Sequence, residues 1–149
     1  MKLPLELKLT EPWAGGDASV AVKWYVNENY TVNAEKLLDG SYELHAPELI
    51  FPEAGNIIWK KVMRGELTSD EGNQIVAAFS SQSIETHPHK PILNAALIGA
   101  IMSGQTVYDW TYLALAVSLS CQFVTADERF LNAISNTKLS GNLIWIGDL

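Results

Sequence analysis

Four carboxylates in this chain, Asp17, Glu53, Asp109 and Asp127, have the residue type and the placing to do chemistry together. Asp109 falls in the first turn of a helix that opens the stretch TVYDWTYLALAVSLSCQFVTADERFL, and Asp127 lies just past a short strand, Phe123 to Thr125. Asp17 heads the first helix of the domain proper, and Glu53 sits near the start of a long helix, in a largely apolar stretch between Phe51 and Ala54. Parallel α/β sheets gather their working residues at the carboxyl ends of strands and at the helix starts beside them. Carboxylates brought to one point repel one another unless a cation joins them. A hard divalent ion such as Mg²⁺ takes a few carboxylates plus water and substrate phosphate, and the chemistry this suits is phosphodiester hydrolysis. Each acid also has a local structural role open to it. Asp17 can be an N-cap two residues before Ser19, Asp109 can favour a helix dipole, and Asp127 can cap the helix from Glu128. Spacing alone does not make the four converge.

The elements that must position these acids read as short strands alternating with helices. Leu3 to Leu9 alternates apolar and polar residues, as a half-buried edge strand does, with Pro4 marking the edge. Pro12 and Gly15-Gly16 break the chain before Asp17, and a short helix follows through Val20, Ala21, Trp24 and Tyr25, with Ser19 a plausible cap. Val32 to Leu38 predicts a helix closed by Gly40, and Tyr42 to Ala46 a strand stopped by Pro47. Leu49 to Arg64 predicts a helix in which Pro52 sets the start or a kink. Thr68 and Glu71 form a capping box for the helix through Phe79. Ile84 to Thr86 can be a short strand, and Ile92 to Met102 an apolar helix ended by Gly104. A brief helix from Glu128 to Ile134, a polar loop and a closing strand, Leu143 to Ile146, complete the chain. The alternation predicts a three-layer α/β/α domain with a mainly parallel sheet.

Composition sets further bounds. The 149 residues suit a single domain, 1–149, with 1–16 as an atypical N-terminal segment, and the 48% hydrophobic content is ordinary for a globular chain. A net charge of −7 tells against a large basic nucleic-acid surface, though an acidic centre can meet phosphates through a metal, with Lys23, Lys60, Lys61 and Arg64 as local guides. The single cysteine, Cys121, permits no internal disulfide and reads as a small core residue in a reducing, cytoplasmic setting. The N-terminus does not read as a signal peptide, and the apolar run from Ile92 to Met102 is too short to span a bilayer.

Four strings carry a resemblance. DASVAVKW from Asp17, PELIFPEAGNIIWK from Pro47, YDWTYLALA from Tyr108 and TADERF from Thr125 together resemble the PIN-domain nucleases of the VapC toxin type, over most of the chain from Asp17 to Ile146. The resemblance implies a parallel sheet of about five strands between helices, and a Mg²⁺- or Mn²⁺-dependent endoribonuclease that cleaves RNA. It also implies a cognate antitoxin as partner and a homodimer. Matched position by position, it assigns catalytic and metal-binding roles to Asp17, Glu53, Asp109 and Asp127, with Ser19 and Thr125 as polar neighbours of the site. One departure stands out. The family's first aspartate follows an apolar strand, whereas here Glu11 to Gly16 precede Asp17. Either Trp13 to Gly16 forms that strand, or Leu3 to Leu9 replaces it.

A degenerate PIN fold kept as a binding or scaffold module is the alternative, motivated by that glycine-rich approach to Asp17. A phosphotransfer receiver is a weaker fit, since the nearest lysine, Lys138, lies in a polar loop. No cysteine pair and no His-Glu helix motif point to zinc. His87-Pro88-His89 reads as a surface loop, with His45 far away in sequence. There is no phosphate-cradling glycine loop and no serine elbow. Trp24, Trp59, Trp110 and Trp145 read mainly as core, with Trp110 placed to stack on a base if it is not.

Overall fold

The computed structural model describes residues 11–14 by their backbone and residues 18–149 with their side chains. The expected strand Leu3 to Leu9 and the acid Asp17 lie outside the described residues. Twelve regular elements are described: β1 (Glu11–Ala14), α1 (Ala18–Val22), α2 (Thr31–Glu35), β2 (Tyr42–Pro47), α3 (Ile50–Met63), α4 (Ser69–Ser80), β3 (Glu85–His87), α5 (Leu93–Ser103), α6 (Val107–Ser118), β4 (Phe123–Thr125), α7 (Glu128–Ile134) and β5 (Leu143–Trp145).

All three strand ladders are parallel: β1 with β2, β2 with β3, and β4 with β5. The sheet is thus a three-stranded and a two-stranded group, with β4 lying beside β1. Helices connect the parallel strands, as the α/β expectation requires. The strand before Asp17 is described from Glu11 to Ala14, with Ala14 in register with His45 of β2. This lies nearer to the Trp13 to Gly16 alternative than to a replacement by Leu3 to Leu9. Pro12 has no N–H to donate, and among the described residues β1 carries a ladder on the β2 side only.

Local signals end most elements where the sequence places them. Pro52 lies in the first turn of α3, where its missing N–H costs nothing. The Thr68–Glu71 capping box opens α4, with both of its hydrogen bonds made. Gly104 closes α5 at φ +71°, a left-handed conformation that suits glycine. Three expectations need correction. Helix α1 starts at Ala18, so Ser19 lies inside it and is not its cap. His87 belongs to β3, paired with Pro47, and not to a loop. Trp59 is 56% exposed on α3 and is not core.

Helix α6 is the centre of the packing. Every residue from Trp110 to Ala116 is buried, and the helix packs on β1, β2, β4 and α5. The Tyr112 ring stacks on Phe123 at 5.6 Å between centroids, and Phe123 in turn meets Phe130 edge-on. Full burial of side chains this size stabilises the fold by roughly 1.5–3 kcal/mol each. Trp110 is core, donating its indole N–H to Ser103 Oγ at 2.7 Å, and so is not a base-stacking platform.

The α5–α6 contact depends on Gly99. A Cβ there would lie 2.2 Å from the Trp110 ring, a rigid neighbour on a buried helix. Gly99→Ala gains about 1 kcal/mol of helix propensity. Forced overpacking costs about 1–3 kcal/mol, or more where the neighbour is rigid. The clash wins, so the variant is expected to melt several degrees lower by circular dichroism.

Candidate active site

Three of the four predicted acids can be placed, and each is held by a different device. Asp109 is the third residue of α6. The Thr106 hydroxyl caps the helix by accepting from the Asp109 N–H at 3.1 Å, and donates to Asp109 Oδ2 at 2.9 Å. The carboxylate is therefore fixed by the cap of its own helix. Asp127 caps α7: its Oδ1 accepts from the N–H groups of Arg129 at 2.9 Å and Phe130 at 3.2 Å. Its own N–H donates to Thr125 Oγ1 at 3.0 Å, and Thr125 is completely buried at the end of β4. Thr125 thus serves Asp127 through the backbone, as a strand-end clamp.

Glu53 stands in the first turn of α3, where an acid favours the helix dipole. What ties it to the site is Tyr112, whose phenolic O–H donates a short hydrogen bond to Glu53 Oε1. Tyr112 lies three residues after Asp109, which puts both on one face of α6. This hydrogen bond brings α3 to the same helix face that carries Asp109. Tyr112 was missed as a site residue from sequence, although its spacing from Asp109 was the available signal.

Electrostatics show that Asp109 and Asp127 share one neighbourhood. Burial raises the Asp109 pKa above its ordinary value and repulsion by Asp127 adds to this, while the Thr106 hydrogen bonds and Arg129 oppose the rise. A half-buried carboxylate facing another carboxylate is poorly solvated in its ionised form. The donors here are carboxylate oxygens, which suit a hard divalent cation, and such an ion relieves that repulsion. The fit of residues to metal is therefore good.

Asp17 lies outside the described residues, in sequence between Ala14, which ends β1, and Ala18, which starts α1. Ser19 lies in the first turn of α1. Of the basic residues read as possible guides, Lys23 and Lys61 are engaged by Glu28, at 3.8 and 3.1 Å. Cys121 is buried, as expected of a small core residue.

A parallel sheet between helices, with acids at a strand end and at helix starts, defines a nuclease-like α/β class. A family model described as the PIN domain matches residues 17–134, which include all four acids, and the chain belongs to the PIN-domain family. Within it, the chain is similar to Ribonuclease VapC3 of Pyrobaculum aerophilum, at 31% identity over 76% of this chain and 88% of that protein. Ribonuclease VapC12 of Mycobacterium tuberculosis is 31% identical over 76% of this chain and 85% of its own length. The crystal structure of PAE2754 from Pyrobaculum aerophilum covers 93% of both chains with a TM-score of 0.66 and 22% identity, a likeness of fold. No helix among the described residues is long and apolar enough to cross a membrane.

Proposed function

We propose that this protein is a metal-dependent endoribonuclease of the VapC type, the toxin of a toxin–antitoxin pair. The observations that support the reading are the hydrogen bond from Tyr112, one turn after Asp109 on α6, to Glu53, and the electrostatic repulsion between Asp109 and Asp127. Membership of the PIN-domain family and likeness to proteins named VapC ribonucleases support it. Glu53, Asp109 and Asp127 would hold a divalent ion, with Asp17 completing the set. Mg²⁺ or Mn²⁺ is the fitting choice for an all-oxygen site. When bound, such an ion activates water and offsets charge on the phosphoryl group being transferred.

The chain's own groups prepare this centre. Thr106 and the N-terminal amides of α7 hold the Asp109 and Asp127 carboxylates in fixed orientations. Tyr112 donates its O–H to the Glu53 carboxylate and so fixes its orientation. Fixed carboxylates bind a cation without paying to be ordered first. The partners of the reading are an RNA substrate and a protein antitoxin, with a second copy of the chain as a homodimer partner.

The test is cleavage of a structured RNA with Mg²⁺ or Mn²⁺, with EDTA, and after metal is restored. Cleavage is expected only with metal present. Cleavage that persists in EDTA and in Asp109→Asn would overturn the mechanism. A folded protein that binds no metal and cuts no RNA would instead support a scaffold role.

A further inference from the structure

The structure assembles a second group of metal-ligating side chains, built from other residues than the acids described above and of different chemistry. It lies on the β2–β3 ribbon. The register pairs His45 with Glu85 and Pro47 with His87. Side chains alternate along a strand, so Glu43 and His45 on β2 share one face with Glu85 and His87 on β3. His45 Nδ1 lies 2.9 Å from His87 Nε2 and 3.8 Å from Glu85 Oε2. One ligand atom from each of the three residues falls within 4.8 Å of the others.

We propose that His45, Glu85 and His87 form a binding site for a borderline transition ion, Zn²⁺ first among them. Two imidazoles and one carboxylate make the mixed nitrogen and oxygen donor set that zinc takes, with a fourth position left for water. The same set is poor for Mg²⁺, which asks for oxygen ligands in octahedral array. Tetrahedral zinc with bonds of about 2.0–2.1 Å sets neighbouring ligand atoms roughly 3.3 Å apart. The two ring nitrogens must open, and the Glu85 oxygen must close, by about half an ångström each, a shift that side-chain torsions supply.

The orientation of His45 is the strongest part of the argument. His45 is buried, and its second ring nitrogen, Nε2, meets Glu43 Oε1 at 3.1 Å. A carboxylate on the far nitrogen of a histidine fixes the tautomer, here with the proton on Nε2 and a lone pair on Nδ1 that accepts from the His87 Nε2–H until a metal takes that proton's place. That lone pair is aimed at His87. A carboxylate on one ring nitrogen with the other turned to the site is the outer arrangement typical of zinc-bound imidazole. The neighbouring His89 is engaged elsewhere, its Nε2 accepting from the Leu49 N–H at 2.9 Å, so it is not a ligand.

The ion would tie a three-residue strand to its neighbour. The His87 carbonyl accepts from the Glu48 N–H at 3.0 Å, just ahead of α3. Metal bound here would therefore stiffen the segment that leads to Glu53. The assignment itself stands on β2 and β3 alone and does not depend on the nuclease reading.

The test is titration of the full-length protein with Zn²⁺ by calorimetry in excess Mg²⁺, with Co²⁺ as a spectroscopic probe. One equivalent of Zn²⁺ is expected, with a rise in melting temperature and the visible absorption of four-coordinate Co²⁺. Asp127→Asn should keep that binding. His87→Ala should lose it, by roughly 100-fold in affinity or more, and Glu43→Gln should weaken it by roughly 10–100-fold. Zinc binding unchanged in His87→Ala, or no zinc binding by the folded protein in excess Mg²⁺, would overturn the proposal.

Discussion

Asp109→Asn is expected to reduce RNA cleavage by roughly 100-fold or more, since loss of even an outer partner of a metal ligand costs roughly 10–100-fold. The same substitution should leave the metal-free protein as stable as before, or more so. Asparagine keeps an oxygen for the Thr106 hydroxyl, which donates to Asp109 Oδ2 at 2.9 Å, and the Thr106 cap accepts from a backbone N–H that the change does not touch. It also removes a charge that is half-buried and faces Asp127. The pH dependence separates this from a general defect. The folded-state pKa of Asp109 is raised above 3.8 by burial first and Asp127 second, with Thr106 and Arg129 opposing. A raised carboxyl pKa means that the folded state binds the proton more tightly than the unfolded chain. This group therefore stabilises the metal-free fold below its unfolded pKa, and the contribution is lost as pH rises through the folded pKa. Melting curves of metal-free protein over that window should show this slope in the wild type and lack it in Asp109→Asn. A variant that melts well below the wild type would mean that Asp109 is structural, and full RNA cleavage would mean that it is not in the site.

The parts of this architecture that were legible in the sequence are those written by local chemistry. Phe123 to Thr125 followed by Asp127 specifies a strand end and a helix cap within five residues, and both form as expected. Thr68 with Glu71, and Gly104 after an apolar run, are likewise signals complete within one turn. β1 shows the limit of that reasoning. Glu-Pro-Trp-Ala has poor strand propensity, yet it forms because β2 offers a parallel partner across its full length. Propensity is a weak prior once tertiary pairing is available.

The site was legible as a set of acids but not as a contact. Nothing near Glu53 in sequence shows that it meets α6, because the link is a hydrogen bond to a tyrosine far along the chain. The histidines were missed for a similar reason. His45 and His87 become neighbours only through the register of a three-residue strand, and a one-residue slip would turn them to opposite faces. Ser19 shows the smaller error that cap reading makes: α1 begins at Ala18, two residues before the start that a Ser19 cap implies, which moves a proposed cap into the helix.

Tyr112→Phe tests the contact that the sequence did not disclose. The ring should stay in place, since it is completely buried and stacked on Phe123 with only 10° between the planes. What is lost is the O–H that holds Glu53. A hydrogen bond to a charged group contributes about 1.5–3 kcal/mol, so a modest fall in melting temperature is expected. The effect on metal should be larger in proportion. With the Tyr112 O–H removed, Glu53 is held less firmly in its orientation, and affinity for Mg²⁺ or Mn²⁺ should fall by roughly 10–100-fold, the range for partners that orient a ligand. Positioning and simple destabilisation then part company. If Tyr112 acts by aiming Glu53, raising the metal concentration should restore much of the cleavage rate, and the apparent metal constant should move more than the rate at saturation. If the phenol serves only the core, cleavage per folded molecule should be unchanged at every metal concentration, and Glu53 would lose its place beside Asp109.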